Sequence, residues 1–352
     1  MCILRRMDLK KSEEFIVETI KKLVDSDSIG GKESGIGLLA GLLRDISAQP
    51  LLDIYMSFAG DSSFKLRKIA TKHLKTVVGN VQSSSAIISK VIANLLNDKE
   101  DLIKMLALEG AIQFFPQNPA VVLESLKNML VGNSWRINMK ICEELPKLLK
   151  QLSRAQFKTY MEQPYLKFLN HDEPELRAAS CACLEAVCQL MEPSEIIRLL
   201  VPAIQKLSND SKPFVRGTKY TIAVEVAKVF LTLSQFIPKQ FTLDLLLPMM
   251  VAFLKDTDPN TNLAVFSALP GLFNCIPAQQ LEETTLQCIT QLFASTNWRT
   301  KCRSVELMAE FIKLPAFLND RIINIVVGWA YDKIDAVRMK AIGLLETLIR
   351  TG

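Results

Sequence analysis

The chain has 352 residues, 49% hydrophobic and 22% charged, with a formal net charge of +5 spread along its length. That composition is globular and argues against disorder; a single compact core is not expected, because cores stop growing near ~250–300 residues. Short Lys-rich stretches such as Lys10-Lys11 and Lys21-Lys22 alternate with Glu, which reads as solvated helix face and not as the one-sided basic footprint of a nucleic-acid binder.

Taken in chain order, one cassette recurs: an acidic or polar turn, an aliphatic residue, a basic residue, then an apolar run. The clear copies end at Arg67, Lys104, Arg177, Arg216 and Arg338, and weaker ones at Asn138, Asn262 and Lys301. The eight slots are 34 to 46 residues apart. A pitch of roughly 35 to 47 residues with helices between belongs to α-solenoids, in which each repeat buries its apolar face against its neighbours. The expected fold is therefore an all-α, right-handed solenoid of about nine helical hairpins. It forms one domain over 1–352, with units at about 11–46, 49–79, 86–115, 119–152, 156–190, 195–236, 242–276, 279–313 and 320–350.

The first unit is atypical, with Gly37 and Gly41 inside its second helix. Each costs about 1 kcal/mol relative to Ala, so close packing is their expected purpose. The fifth is the most explicit. Helix A over Ala155–Phe168 stops at Asn170, Asp172 is placed to cap helix B, Pro174 suits its first position, and Glu175–Met191 continues as helix B. The most apolar stretch, Leu245–Leu254, is short and interrupted by Pro248, and reads as a buried helix.

The cassette has a structural purpose. When hairpins stack, their turns line one edge. An Asp in a turn can cap its own helix B and bond a neighbouring turn, and the Arg or Lys that follows can reach the Asp of the adjacent unit. Asp172, Arg177, Arg216 and Arg338 are explained in this way. Two turns differ: Trp135-Arg136 and Trp298-Arg299 put a large aromatic ahead of the buried face, where a solenoid core has no need of one. Trp beside Arg combines two residue types enriched at binding hot spots. Trp329, late in a helix A, is expected to be packed.

No catalytic chemistry is legible. The chain lacks a Gly-rich phosphate loop, G-x-S-x-G and H-E-x-x-H. His73 and His171 are isolated, and Glu143-Glu144 reads as helix surface, with Lys147 pairing Glu143. Eight cysteines without a paired C-x-x-C make a zinc site improbable, and Cys181, Cys183 and Cys188 read as small apolar fillers. Reduced cysteines and the absence of a secretory signal point to cytosol or nucleus. No window holds the ~18 apolar residues of a membrane span. No enzyme activity, cofactor or metal is expected.

The cassettes resemble HEAT repeats, and the order of their irregularities is similar to the scaffolding A subunit of the type 2A serine/threonine protein phosphatase. The similarity runs from about residue 50 onward, through Phe64–Ala70, Asn133–Arg136, Glu175–Ser180, Thr296–Arg299 and Trp329–Arg338. The resemblance implies a non-catalytic scaffold whose turns hold a phosphatase catalytic subunit and interchangeable B-type regulatory subunits. Carried over, Arg67, Lys68, Trp135, Arg136 and Arg177 would face a regulatory subunit, with Arg216 among the partner-binding turns. Trp298 and Arg299 would begin the catalytic-subunit contacts, with Arg338 in the next turn. The family has about fifteen repeats and the match is to its middle, so the last repeats have no counterpart here; Asn138 and Asn262 stand where the family has Arg. Two other readings fit the same repeats: a general HEAT adaptor, as in nuclear transport, binding extended peptides in its groove, and a shortened decoy binding regulatory subunits alone.

Overall fold

The computed structural model describes residues 13–43, 49–81, 85–132, 134–208, 230, 232–253, 263, 265–267, 269, 278–313 and 320–351. The described segments are helices and their connections, with no strand among them, and the fold is an α-solenoid of stacked helical hairpins. The chain divides into two compact units, Met1–Pro164 and Tyr165–Gly352.

In the first unit the helices are α1 (Glu13–Val24), α2 (Ile29–Leu42), α3 (Gln49–Ala59), α4 (Phe64–Asn80), α5 (Ser85–Leu96), α6 (Asp101–Phe114), α7 (Pro119–Val131) and α8 (Trp135–Leu149). Odd helices pack on odd, even on even, and each on its hairpin partner, giving two layers around a continuous apolar seam. The apolar 3.6-residue stripes dictate this, because each helix has a face that only a neighbour can cover. Ile20, Leu39, Leu51, Leu74, Leu95, Leu108, Leu126 and Leu145 are all essentially buried. Each contributes about 1.5–3 kcal/mol of transfer free energy.

The even-numbered helices approach closely through glycine. A Cβ on Gly110 would lie 2.7 Å from Leu74 Cγ, and one on Gly37 would lie 3.1 Å from the His73 ring, so both are glycine for close packing. The same expectation fails at Gly41, where an added Cβ would meet nothing within 4 Å. Side-chain amides finish the far ends of these helices. Asn80 Nδ2 donates to the Ala40 carbonyl at 2.8 Å, and Gln151 Nε2 to the Ile112 carbonyl at 3.3 Å. Both carbonyls lie in the last turn of their helix, and the Ile112 carbonyl also accepts from the Phe115 N–H at 3.2 Å.

Further along are α9 (Arg154–Gln156), α10 (Glu162–Leu169), α11 (Pro174–Cys181), α12 (Leu184–Leu190), α13 (Pro193–Glu195), α14 (Val201–Ser208), α15 (Lys239–Phe241) and α16 (Leu247–Phe253). The last four are α17 (Ala278–Phe293), α18 (Trp298–Phe311), α19 (Asp320–Ala330) and α20 (Asp335–Thr351). Three π-helical turns, Phe157–Met161, Ile196–Leu200 and Thr242–Leu246, sit just ahead of Pro164, Pro202 and Pro248. Proline lacks an N–H and its ring clashes with the carbonyl four residues back. Widening the preceding turn to i→i−5 bonding, as in Glu162 N–H to Phe157 O, lets the helix run through it. Leu246, Leu247 and Met250 are buried, as expected of the Leu245–Leu254 stretch.

Two sequence expectations are corrected. Helix B of the fifth unit breaks at Ala182-Cys183 instead of running from Glu175 to Met191. The Ser180 carbonyl there accepts from Tyr165 Oη at 2.8 Å and from the Cys183 N–H at 3.1 Å, which tightens the turn. Asp172 is not the cap: Glu173 is the N-cap residue, while Pro174 opens the helix as expected. Trp329 is fully buried, in line with its packed assignment.

Gly110→Ala is expected to destabilise the protein by about 1–3 kcal/mol through overpacking against Leu74. Gly41→Ala should be neutral or stabilising by up to ~1 kcal/mol. Urea unfolding of both variants checks the contrast.

Candidate protein-docking turns

Three hairpin turns are closed by the basic residue of the cassette. Arg67 Nη1 donates to the carbonyls of Asp61 and Ser62, both at 2.9 Å. Arg177 Nη1 does the same to His171 at 2.6 Å and Asp172 at 2.8 Å, and Arg338 Nη1 to Asp332 at 2.7 Å. The reach is i to i−6 each time, and to i−5 as well for Arg67 and Arg177. A guanidinium begins one turn inside helix B and folds back over the loop that precedes it.

The first residue of that loop has its own task. Asp61, Asp98 and Asp332 each accept, through Oδ1, from the backbone N–H two residues on, at 2.7, 2.9 and 2.9 Å. Substituted turns keep the bond with another acceptor. His171 accepts through Nδ1 from the Glu173 N–H at 3.0 Å, and Ser295 through its hydroxyl from the Asn297 N–H at 3.2 Å.

Successive turns are then tied together. Arg67 Nε donates to Asp98 Oδ2 at 2.5 Å and Nη2 to Oδ1 at 3.1 Å, a two-pronged bond between buried side chains. Asp98 holds the Arg67 guanidinium above its ordinary pKa. Lys301 reaches Asp332 at 2.7 Å in the same way. Burial pushes the Asp332 carboxyl up, but the bonds from Lys301 and the Ile334 N–H outweigh it, leaving its pKa below the ordinary 3.8. The expected ladder from one basic residue to the next unit's Asp is present at both places.

Ladder and contact surface are thereby separated. Arg67 and Arg177, expected to face a partner, are each only 6% exposed. Their guanidinium groups are turned into the loops they close, and what they can offer a partner is the shape of those loops. Lys68 is half-buried, its ammonium 5.9 Å from the Phe64 ring centroid. Arg338 is partly exposed and also pairs with Asp335. Arg216 lies outside the described residues, as does Asn262.

The two aromatic turns point outward. Trp135 is the first residue of α8 and 42% exposed, and Trp298 the first of α18 and 40% exposed. A side chain at the first helical position precedes the buried stripe, so it projects over the edge. In both, the next residue lies over the indole: Arg136 Cζ is 5.1 Å and Arg299 Cζ 4.7 Å from the ring centroid. Such a cation–π contact is worth about 0.5–1 kcal/mol at an exposed site, and it biases the guanidinium toward the ring before any partner arrives.

A second charge network was not legible in the sequence. Lys75 pairs with Glu109 at 2.6 Å, Glu109 with Lys147 at 3.7 Å, Lys147 with Glu144 at 2.7 Å and Glu144 with Lys140 at 3.0 Å, joining α4, α6 and α8. Glu144 is buried, which corrects its assignment to helix surface, and Lys147 takes Glu144 as its partner where Glu143 was expected. Lys140, Glu144 and Lys147 meet along α8 itself, and stacking brings Glu109 to Lys75 and Lys147. Glu109 also lies 34 residues from Lys75, close to the repeat pitch, and that is the one signal that could have suggested the pairing.

Among the described residues, no group of three potential metal ligands gathers, and no helix is long and apolar enough to cross a membrane. No family model matches the sequence, and no curated protein does. Solved structures do match. Yeast importin-β (Kap95p) is similar with a TM-score of 0.68 at 11% identity, over 97% of this chain and 51% of that one. Kap121p bound to Pho4p is similar with a TM-score of 0.61 at 14% identity, over 97% of this chain and 38% of that one. The chain therefore spans about half the length of the importin-β it matches or less of such solenoids. At these identities the likeness establishes the fold: a HEAT-repeat solenoid.

Asp98→Ala should cost about 3 kcal/mol by leaving Arg67 buried without its carboxylate, read by urea unfolding; Arg67→Met with Asp98→Leu should recover only part of the loss, because the Asp61 and Ser62 carbonyls and the Glu100 N–H then lose their partners. A carboxyl whose folded pKa is lowered stabilises the fold above its unfolded value, and the contribution is lost as pH falls through the folded value. Thermal stability should therefore drop as pH falls below about 4, with a shallower acid limb in Lys301→Met.

Proposed function

We propose that this chain is a non-catalytic HEAT-repeat adaptor that gathers protein partners in the cytoplasm or nucleus. The observation that carries the reading is the pair of outward corners, Trp135-Arg136 and Trp298-Arg299, each half-exposed with its guanidinium already stacked on the indole. Trp and Arg dominate interface hot spots, and a side chain held in its binding geometry loses less entropy on association. Beneath Trp298, the Lys301–Asp332 bond ties that turn to the next. Two partners held on one solenoid experience each other at a raised effective concentration. The likeness to karyopherins supports an adaptor of this general kind, one form of which binds partners in its groove.

A second, finer reading is a scaffold for a type 2A protein serine/threonine phosphatase, bridging catalytic and B-type regulatory subunits. It is favoured by the recurrence of one Trp-Arg geometry at the two turns that the resemblance assigns to different subunits. Lys68 and Arg338 would add charge at turns of their own units.

Affinity purification of the tagged chain from its native cell, read by mass spectrometry, separates the readings. Trp135→Ala with Arg136→Ala, and Trp298→Ala with Arg299→Ala, should each weaken capture of a partner by about 30-fold or more, with unchanged circular dichroism. Recovery of a phosphatase catalytic chain that is lost with the second pair supports the scaffold. Transport factors or cargo retained by both pairs place binding in the groove. Unaltered capture of every partner by both pairs would remove the corners from the function.

A further inference from the structure

The first unit carries an exposed apolar pair that neither the turns nor the ladder use. Leu102 and Leu106 of α6 lie one helical turn apart and are 39% and 38% exposed. α6 packs between α4 and α8, so this stripe lies inside the stack and not at an end of it. The opposite face of the helix is closed, with Ile103, Ala107 and Leu108 fully buried. Counted from the basic slots Arg67, Lys104 and Asn138, Leu102 shares its register with Lys65 on α4 and Arg136 on α8. Packed helices run roughly 8–10 Å apart, so the leucines have a cation on either side.

The charge around them is one-sided. α4 has no acidic residue, and its ion pairs engage Arg67, Lys72 and Lys75. Lys65 and Lys68 stand outside those pairs, and Lys65 is exposed. Arg136 is exposed and rests on the Trp135 ring. Of the carboxylates that open α6, Asp101 is held by Lys104 at 3.3 Å, and Glu100 is offset by the adjacent, exposed Lys99.

We propose that the Leu102–Leu106 stripe seats an acidic amphipathic helix of a partner protein, its carboxylates directed at Lys65, Lys68 and Arg136. Leucines framed by cations suit a segment that is apolar along one stripe and acidic beside it. The i, i+4 spacing on α6 matches the i, i+3 and i+4 anchors by which a helix lies along a groove. Burial of the leucines supplies affinity, while the opposite charges speed encounter and set register. The inference rests on the adaptor reading and adds to it the chemistry of the segment recognised beside the Trp135-Arg136 corner.

The probe is a stapled helical peptide with leucines at i, i+4 and i+7 and glutamates flanking them. Fluorescence anisotropy of the labelled peptide, titrated with the full chain at low salt, should show saturable binding. Replacing its glutamates by lysines should weaken binding at least about tenfold. Leu102→Glu with Leu106→Glu should abolish binding, and Lys65→Glu with Lys68→Glu should weaken it at least about tenfold. Circular dichroism checks that the fold is kept. None of these four residues belongs to a Trp-Arg corner. A peptide left unbound, while native capture still depends on Trp135 and Arg136, overturns the proposal and leaves the adaptor reading standing. Peptide binding as described, with native capture indifferent to both corners, does the reverse. Equal binding of the glutamate and lysine peptides also overturns the proposal, as does binding that survives the leucine variants. So do phosphatidylserine vesicles bound in preference to the peptide, which would put an anionic lipid surface on the stripe.

Discussion

A positively charged side chain folded back over its own loop is the contact on which this solenoid turns. In Arg67 one nitrogen closes the loop through two carbonyls, while the other two grip Asp98 of the next hairpin. The loop carbonyls lie beyond the helix, at the part-buried edge of the turn, and the guanidinium supplies a donor to both. Removing the arginine therefore affects two levels at once: the shape of one turn and the register between two repeats. The Asp answers it from the other side. One oxygen orders its own turn by accepting a backbone N–H, and the other receives the charge from the previous unit.

This economy of parts explains how function is laid over structure. Because the ladder sits beneath the edge, the residues just ahead of each buried stripe are free to vary without harm to stacking. Trp135 and Trp298 stand at that position, and the arginines after them lie on the indoles instead of inside the turn. The basic residues of the turns therefore fall into two physical kinds. Arg67 and Arg177 are buried and hold loops; Arg136 and Arg299 are exposed and lie ready for contact. A neighbour-only architecture permits this separation because each turn is stabilised locally.

How much of this was legible follows the same division. Helix faces, turns and the Trp-Arg corners are local, and their residues lie within one or two helical turns of each other in sequence. The i to i−6 relation between Arg and the loop's first residue was also present in the sequence, yet the role fell to Asp172 because cap chemistry alone favoured it; the structure gives that place to His171, whose ring nitrogen does the work of a carboxylate oxygen. The break in the fifth unit's helix B was not legible at all. There the Cys183 N–H turns to the Ser180 carbonyl, three residues back, while the matching tyrosine bond from Tyr55 to the Ala70 carbonyl leaves α4 continuous.

By itself the sequence determined that the chain is a stack of helical hairpins, where their turns fall, and which two corners carry an aromatic with an arginine. Period and turn chemistry encode these, and both are read over short windows. Only the tertiary structure decided which charges are buried, that Glu109 joins Lys75 to Lys147, and that Gly37 and Gly110 serve close approach while Gly41 does not. Those outcomes depend on what lies one repeat away, some 30 to 40 residues distant along the chain. Burial there is set by the neighbouring helix and not by the residue's own identity.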